Sequence, residues 1–367
     1  MNYSLNRSQD NATDSAEYHI DSTAKVEMLL LILVMMFIVI VNILTLITVA
    51  IHRVMWTVPN MYVVSLAIAD LLTGFSIIYQ LLPIFPDLKP KFDSNKFLCL
   101  FKHSTLFTLV STSILNMILI AFDRWAYVTY PFVYERLSTI KRAVILIALA
   151  WVLGILIGTV PLYVNNWRHG CRFFEVLSME YQIYGQGSFL VVSSIIIAAC
   201  YLHIFHIVRK QKAAILRQRL LIANLNQTSL VPSPRISHSS PHLSHSKASV
   251  TSMREAKLAK LQNDFDLVKM FGLVFGVFFC CCSPALILGI VTYSTGKYKD
   301  ATIYTIPIVV LNSGMNFIIY ILRSSQFRQA VKATCFGCRH VVNEPVWAVM
   351  VSSPYTSSRT RVTCDSF

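Results

Sequence analysis

Charge is what this sequence is shortest of. Asp, Glu, Lys and Arg make up 14% of its 367 residues, against about 25% in a soluble domain. With 55% of the residues apolar, too little charge remains to cover a water-facing surface, and a soluble globular fold is excluded. Acid is scarcer still, with 18 Asp and Glu against 32 Lys and Arg. The resulting net charge of +14 would suit nucleic acid in a soluble chain. Here the basic residues crowd into a few loops between apolar runs, which is the charge asymmetry of membrane topology, and no nucleic-acid partner is expected. Glycine is sparse, at 12 residues. No Gly-rich phosphate loop occurs, and no enzyme chemistry is expected. Residues 1–25 lack an apolar run, so no signal peptide is read there.

What the chain does have is long apolar segments. A spanning helix needs about 20 predominantly apolar residues. Such segments fall at roughly 27–51, 60–84, 97–127, 142–164, 183–208, 265–293 and 302–322. They predict an all-α membrane protein, a seven-transmembrane helix bundle. The polar tail 1–26 holds Asn-x-Ser/Thr sequons at Asn2, Asn6 and Asn11, which argues for an extracellular, glycosylated N-terminus. Seven crossings then leave the C-terminal tail, 336–367, in the cytoplasm of a plasma-membrane protein. The loop from Arg209 to Asn263 agrees, carrying ten Lys and Arg but one acid, Glu255. Its stretch 212–256 is expected to be disordered. Beyond the seventh segment, Phe327, Ala330 and Val331 share one face, predicting a short amphipathic eighth helix that completes a domain over 27–335. Cys335 and Cys338 follow it, placed to accept palmitate, although a Cys-x-x-Cys pair also has metal or redox spacing.

Polar residues within the apolar segments are the candidates for function. Phe122-Asp123-Arg124-Trp125 ends the third segment. Charges at membrane depth are costly, so Arg124 either marks the membrane edge or works there. Cys99 lies 25 residues earlier, about 37 Å along a helix, and so at the opposite surface. Cys171 is the one cysteine of the second outer loop. A Cys99–Cys171 disulfide would tie that loop over the bundle, on the side where oxidation is permitted. Asn42, Asp70, Ser113 and Asn116 lie in the first three segments, and Asn312, Asn316 and Tyr320 share a face of the seventh. These groups must face the bundle. They would hold a sodium ion or a water cluster, or simply hydrogen-bond between helices. Pro284 should kink the sixth segment. Gly154 with Gly158, and Gly272 with Gly276, have the spacing for close helix packing. His203 and His206 are read as interfacial polar residues.

These residues resemble a family. Asn42, Leu66-Ala67-Ile68-Ala69-Asp70, Cys99, Asp123-Arg124-Trp125, Trp151, Phe278-x-x-Cys281-x-x-Pro284, Asn312-Ser313-x-x-Asn316, Tyr320 and Phe327 fall one helix after another. In that order they look like a class A (rhodopsin-like) G protein-coupled receptor over about 27–335, most similar to the melanocortin, cannabinoid, lysophospholipid and adenosine branch. The resemblance implies that Asp123 and Asp264 restrain Arg124, with Tyr201 and Tyr320 nearby. Ligand binding would swing the sixth helix outward and free Arg124 for a heterotrimeric G protein, with arrestin and receptor kinases as further partners. Asp70, Ser113, Asn312 and Asn316 match the family's sodium site. By position, the pocket walls would be Gln80, His103, Leu106, Phe107, Val110, Ala285, Leu286, Gly289, Ile306 and Val310. Leu106 stands where amine receptors carry an aspartate, and Val310 where opsins carry the retinal lysine. An apolar lining suits a lipid-like or neutral small ligand. Four positions depart from the pattern: Trp125 for tyrosine, Cys282 for the sixth-helix tryptophan, Phe317 for the seventh-helix proline, and Ser193 or a neighbour for the fifth-helix proline. These departures keep open an atypical receptor that does not signal, or signals through arrestin alone. A channel or transporter would need symmetry between halves, which is not seen.

Overall fold

The structure is a computed structural model that describes residues 22–168, 170–178, 180–228, 272–297 and 304–336. Among them the regular elements are helical. The long helices are α1 (Ser22–Ile51), α2 (Val58–Leu81), α3 (Lys96–Thr129), α4 (Ile140–Gly158), α5 (Ser188–Thr228), α6 (Gly272–Thr295), α7 (Ile306–Arg323) and α8 (Ser325–Phe336). Spans containing α1 through α6 are each long and apolar enough to cross a membrane. α7 turns by 101° into α8. Helices satisfy their own backbone groups, the requirement for any segment without access to water.

Local chemistry sets the boundaries. Asn95 caps α3 by accepting from the Leu98 N–H at 3.1 Å. Thr139 does the same for α4 through the Arg142 N–H at 3.4 Å. Pro59 and Pro307 lie in the first turns of α2 and α7, where a missing N–H costs nothing. At the α7–α8 corner, Ser324 adopts an extended backbone and its Oγ accepts from the Phe327 N–H. Arg328 reaches back to the Ile321 and Leu322 carbonyls at 3.0 and 3.3 Å, satisfying acceptors that the end of α7 leaves open.

α3 is the axis of the bundle, packed against α2, α4 and α5, while α1 packs on α2, α7 and α8. The main core joins Leu66 of α2, Ile114, Met117 and Ile120 of α3, Ile197 of α5, Phe278 and Cys282 of α6, and Ile319 of α7. Gly154 and Gly158 let α4 lie against α3. A Cβ at either would overlap Thr112 or Thr108. The other glycine pair behaves differently. Gly272 and Gly276 face no described atom within 4 Å, so their spacing reflects no close packing among the described residues. The Trp151 indole donates to Ser65 Oγ at 3.1 Å, tying α4 to α2.

The fifth segment differs from the sequence reading at both ends. The fifth segment opens with a π-helical turn, Tyr181–Gly187. α5 then runs through Thr228, so 212–228, expected to be disordered, is helical. The reason is composition: Lys212 to Leu225 is rich in Ala, Leu, Arg and Gln, all good helix formers, and hydropathy alone does not register that. The remaining stretch, 229–256, lies outside the described residues. α6 is helical on both sides of Pro284.

Candidate functional site

The elements place two sites at opposite ends of α3, with a polar cluster between them. At one end, Cys99 is bonded to Cys171. The loop reaches it through Gly170, whose φ of 90° is one that L side chains rarely adopt. Asp93 secures the same turn: its carboxylate accepts the Cys171 N–H at 2.8 Å and its carbonyl the Gly170 N–H at 3.0 Å. Beneath this strap lies a cavity of about 200 Å³. Leu106, Phe107 and Val110 of α3, Ala285, Leu286 and Gly289 of α6, and Ile306 and Val310 of α7 line it. Gln80 and His103, expected as walls, do not. The Gln80 amide is spent on the Lys102 carbonyl at 2.8 Å. The His103 ring packs edge-on to Phe173 beneath the disulfide, with centroids 5.4 Å apart.

The cavity also takes residues that family position did not suggest. Phe173 comes from the strap, and Gln182 and Gln186 from the π-helical turn. The Gln186 amide donates to the Tyr181 hydroxyl at 2.9 Å, and that of Gln182 to the Leu177 carbonyl at 3.1 Å. No hydropathy signal marks such a turn. The short spacing between Cys171 and the fifth segment was the available clue that the strap must cross the bundle.

Halfway along, Asp70 is fully buried. Ser113 Oγ donates to one of its oxygens and Asn316 Nδ2 to the other, both at 2.9 Å. Asn42 donates to the Ser313 carbonyl at 3.0 Å, joining α1 to α7. Asn312 is buried on the same helix. Among the described residues no Lys or Arg pairs with Asp70. A buried carboxylate held by neutral donors alone retains lone pairs for a cation, so the donor set fits sodium.

At the far end of α3, Arg124 pairs with Asp123 at 2.6 Å. The Tyr134 hydroxyl donates to the other Asp123 oxygen at 2.9 Å. Burial pushes the Tyr134 phenol up to about 12, so it stays protonated and able to donate. The guanidinium lies 6.0 Å from the centroid of the Tyr127 ring. A second cavity, of about 210 Å³, holds Asp123, Arg124 and Tyr320 in its wall. Trp125 carries a contact that the sequence did not suggest: its indole N–H donates to His203 Nδ1 of α5 at 2.8 Å. Tyr201 packs nearby on Ile204 and Val208. Asp264, Cys338, Asn2, Asn6 and Asn11 lie outside the described residues. Cys335 is exposed at the end of α8.

This arrangement can be set beside known proteins. The family described as "7 transmembrane receptor (rhodopsin family)" matches residues 41–320, more than half of the chain. The chain belongs to the rhodopsin family of seven-transmembrane receptors. It is a multi-pass membrane protein, in a family of receptors rather than enzymes. Its similarity to individual members is even and low. It is 26% identical to the alpha-1A adrenergic receptor of Oryzias latipes, over 81% of this chain and 64% of that receptor. To the octopamine receptor beta-2R of Chilo suppressalis it is 26% identical, over 89% and 84%. To the adenosine receptor A2b of Gallus gallus it is 27% identical, over 78% and 81%. The chain thus spans under two thirds of the adrenergic receptor's length. Adrenergic, octopamine and adenosine receptors stand at nearly equal identity, so identity singles out no branch.

Proposed function

We propose that this rhodopsin-family receptor transmits the binding of an extracellular ligand to a heterotrimeric G protein. The observation that carries the reading is the Asp123–Arg124 pair, set in a cavity wall at one end of α3 while a separate apolar cavity lies under the disulfide at the other. The disulfide end faces outward and the Arg124 end faces the cytosol of the plasma membrane. In the resting state Asp123 restrains Arg124, and the family resemblance assigns Asp264 the same role. A ligand that prefers the active state moves the sixth helix outward, and the freed Arg124 meets the G protein. The upper cavity binds the ligand. Among the described residues its lining contains no carboxylate, which argues against an amine even though two of the relatives are named adrenergic and octopamine receptors, and for an apolar, lipid-like molecule. A sodium ion on Asp70 would steady the resting state. Sequons at Asn2, Asn6 and Asn11 carry glycans, and Cys335 and Cys338 carry palmitate; endoglycosidase shifts and hydroxylamine-sensitive acyl labelling check these.

The test is a G-protein activation screen in cells for basal activity, which needs no known ligand. Arg124→Ala should lower the basal signal by about tenfold or more at unchanged surface expression, as expected for losing a charged group that acts through charge-assisted bonds. Arrestin recruitment without response from any G protein would support the atypical reading, which the departures at Cys282 and Phe317 favour.

A further inference from the structure

α5 is longer than the membrane it crosses. At 41 residues it extends about 60 Å, twice the hydrocarbon core of about 30 Å. Its apolar part ends near Val208, and Arg209–Thr228 continues as the same helix for about 30 Å more. This extension carries five cations, Arg209, Lys210, Lys212, Arg217 and Arg219, and no acid. It also carries leucines that nothing covers among the described residues. Leu216, Leu220 and Leu221 are 58, 59 and 63% exposed. Exposed leucines of the spans face lipid, but these stand beyond it. Apolar surface left in water marks a site of association. A basic amphipathic helix associates either with an acidic helix-binding protein or with an anionic membrane. Two observations favour the protein. α8 is turned by 101° from α7, the bend that a helix needs to lie along a bilayer. α5 runs past Arg209 as one helix, so its extension leads away from the bilayer. At about 100° per residue, Leu216 and Leu221 also lie about 140° apart around the helix. A flat surface meets one face of a helix, whereas a groove that closes round it meets both.

We propose that Arg209–Thr228 is a docking helix for an acidic calcium sensor of the EF-hand class, with calmodulin as its type. Calcium opens a methionine-rich apolar groove in such a sensor, and methionine adapts to leucines presented at irregular angles. The five cations complement the acidic protein around that groove and speed the encounter. The seat also has a consequence for transmission. His203, less than two turns before Arg209, bonds Trp125 beside Arg124. A sensor seated from Arg209 onward crowds that end of the bundle and excludes a G protein from it, so a rise in calcium quenches the receptor. The inference rests on the proposed cytosolic placement of this end, and it adds a second partner and a signal that controls it.

The experiment titrates the purified full-length receptor, in phosphatidylcholine nanodiscs, into fluorescently labelled calmodulin with calcium or with EGTA. Binding should appear with calcium and vanish in EGTA. Combining Leu216→Gln with Leu220→Gln should weaken it about tenfold or more, the loss expected when two leucines no longer fill an apolar groove. Both side chains are exposed, so the melting temperature of this variant should match that of the unaltered receptor. Limited trypsin digestion gives a second reading that needs no variant. Calcium-loaded calmodulin should shield the peptide bonds after Arg217 and Arg219. Should the double variant fail to fold, this shielding on the unaltered receptor still decides. Absence of calcium-dependent binding overturns the proposal. Binding that the double variant leaves intact also overturns it, since another segment then carries the contact. Shielding of the same bonds by phosphatidylserine nanodiscs without calmodulin assigns the extension to lipid and overturns it too. Both faces of a nanodisc are open to solvent, so none of these outcomes depends on which face is cytosolic. The placement itself is tested separately, by whether endoglycosidase reaches the N-terminal sequons on intact cells.

Discussion

The two ends of α3 are built from different chemistry. At the Cys99 end its neighbours are fixed by a covalent bond and by the buried residues Leu100 and Val176, with Trp167 packed against them. At the Arg124 end they are held by exchangeable polar contacts: Asp123 with Arg124, Tyr134 with Asp123, and Trp125 with His203. A disulfide in a small domain contributes about 2–5 kcal/mol, whereas a neutral hydrogen bond contributes about 0.5–1.5 kcal/mol net. One end is therefore suited to keeping a site in shape. The other is suited to changing partners at small cost, which is what a two-state transmitter requires.

The largest effect should come from removing the covalent end. Cys171→Ser cuts a cross-link that spans 72 residues of sequence. The expected loss is about 2–5 kcal/mol, seen as a lower melting temperature and a smaller surface fraction, with the Asp123–Arg124 pair untouched. An unchanged melting temperature would mean that the apolar cluster and Asp93 hold the strap unaided, and the contrast between the ends would collapse.

The middle of the helix sharpens the contrast. Asp70 is bound by Ser113 and Asn316 at equal distances, so it links α2, α3 and α7 without a cross-link. Sodium at about ten times its Kd would add about 1.4 kcal/mol to the folded state. Replacing sodium chloride with an equal concentration of choline chloride should therefore lower the melting temperature of the receptor but not that of Asp70→Asn. The same response in both proteins would show that sodium acts elsewhere.

How much of this was legible beforehand follows the same division. The spans, the amphipathic eighth helix and the Cys99–Cys171 bond follow from apolar run length, a helical period and the placement of one outer cysteine, all of which are local signals. Eight pocket positions came from family register, which a regular helix transmits faithfully. The register failed at Gln80 and His103 because which way a helical side chain turns depends on its neighbours, here the Lys102 carbonyl and the Phe173 ring. It was silent on Gln182 and Gln186 because a π-helical turn has no hydropathy signature. The two glycine pairs make the point most simply. Gly154-x-x-x-Gly158 and Gly272-x-x-x-Gly276 are the same pattern, yet only the first meets another helix among the described residues. The extension of α5 to Thr228 was missed for the opposite reason: helix propensity acts in water as well as in lipid, and hydropathy detects only lipid.

The smallest predicted effect probes the Arg124 end. An indole N–H can only donate, so the Trp125 bond requires His203 Nδ1 to be an unprotonated acceptor. The bond ties α3 to α5 one residue from Arg124. Trp125→Phe keeps an aromatic ring among Phe122 and Tyr130 and deletes the donor, at a cost of about 0.5–1.5 kcal/mol. If the bond belongs to the resting state, that cost shifts the equilibrium toward the active state by up to about tenfold, and basal G-protein activation rises at constant surface expression. His203→Ala should produce a similar rise, and the double variant should exceed neither single by much, because both delete one bond. Strictly additive effects, or an unchanged basal signal, would mean that α3 and α5 keep this contact in both states. The Arg124 end would then be less switchable than its chemistry suggests.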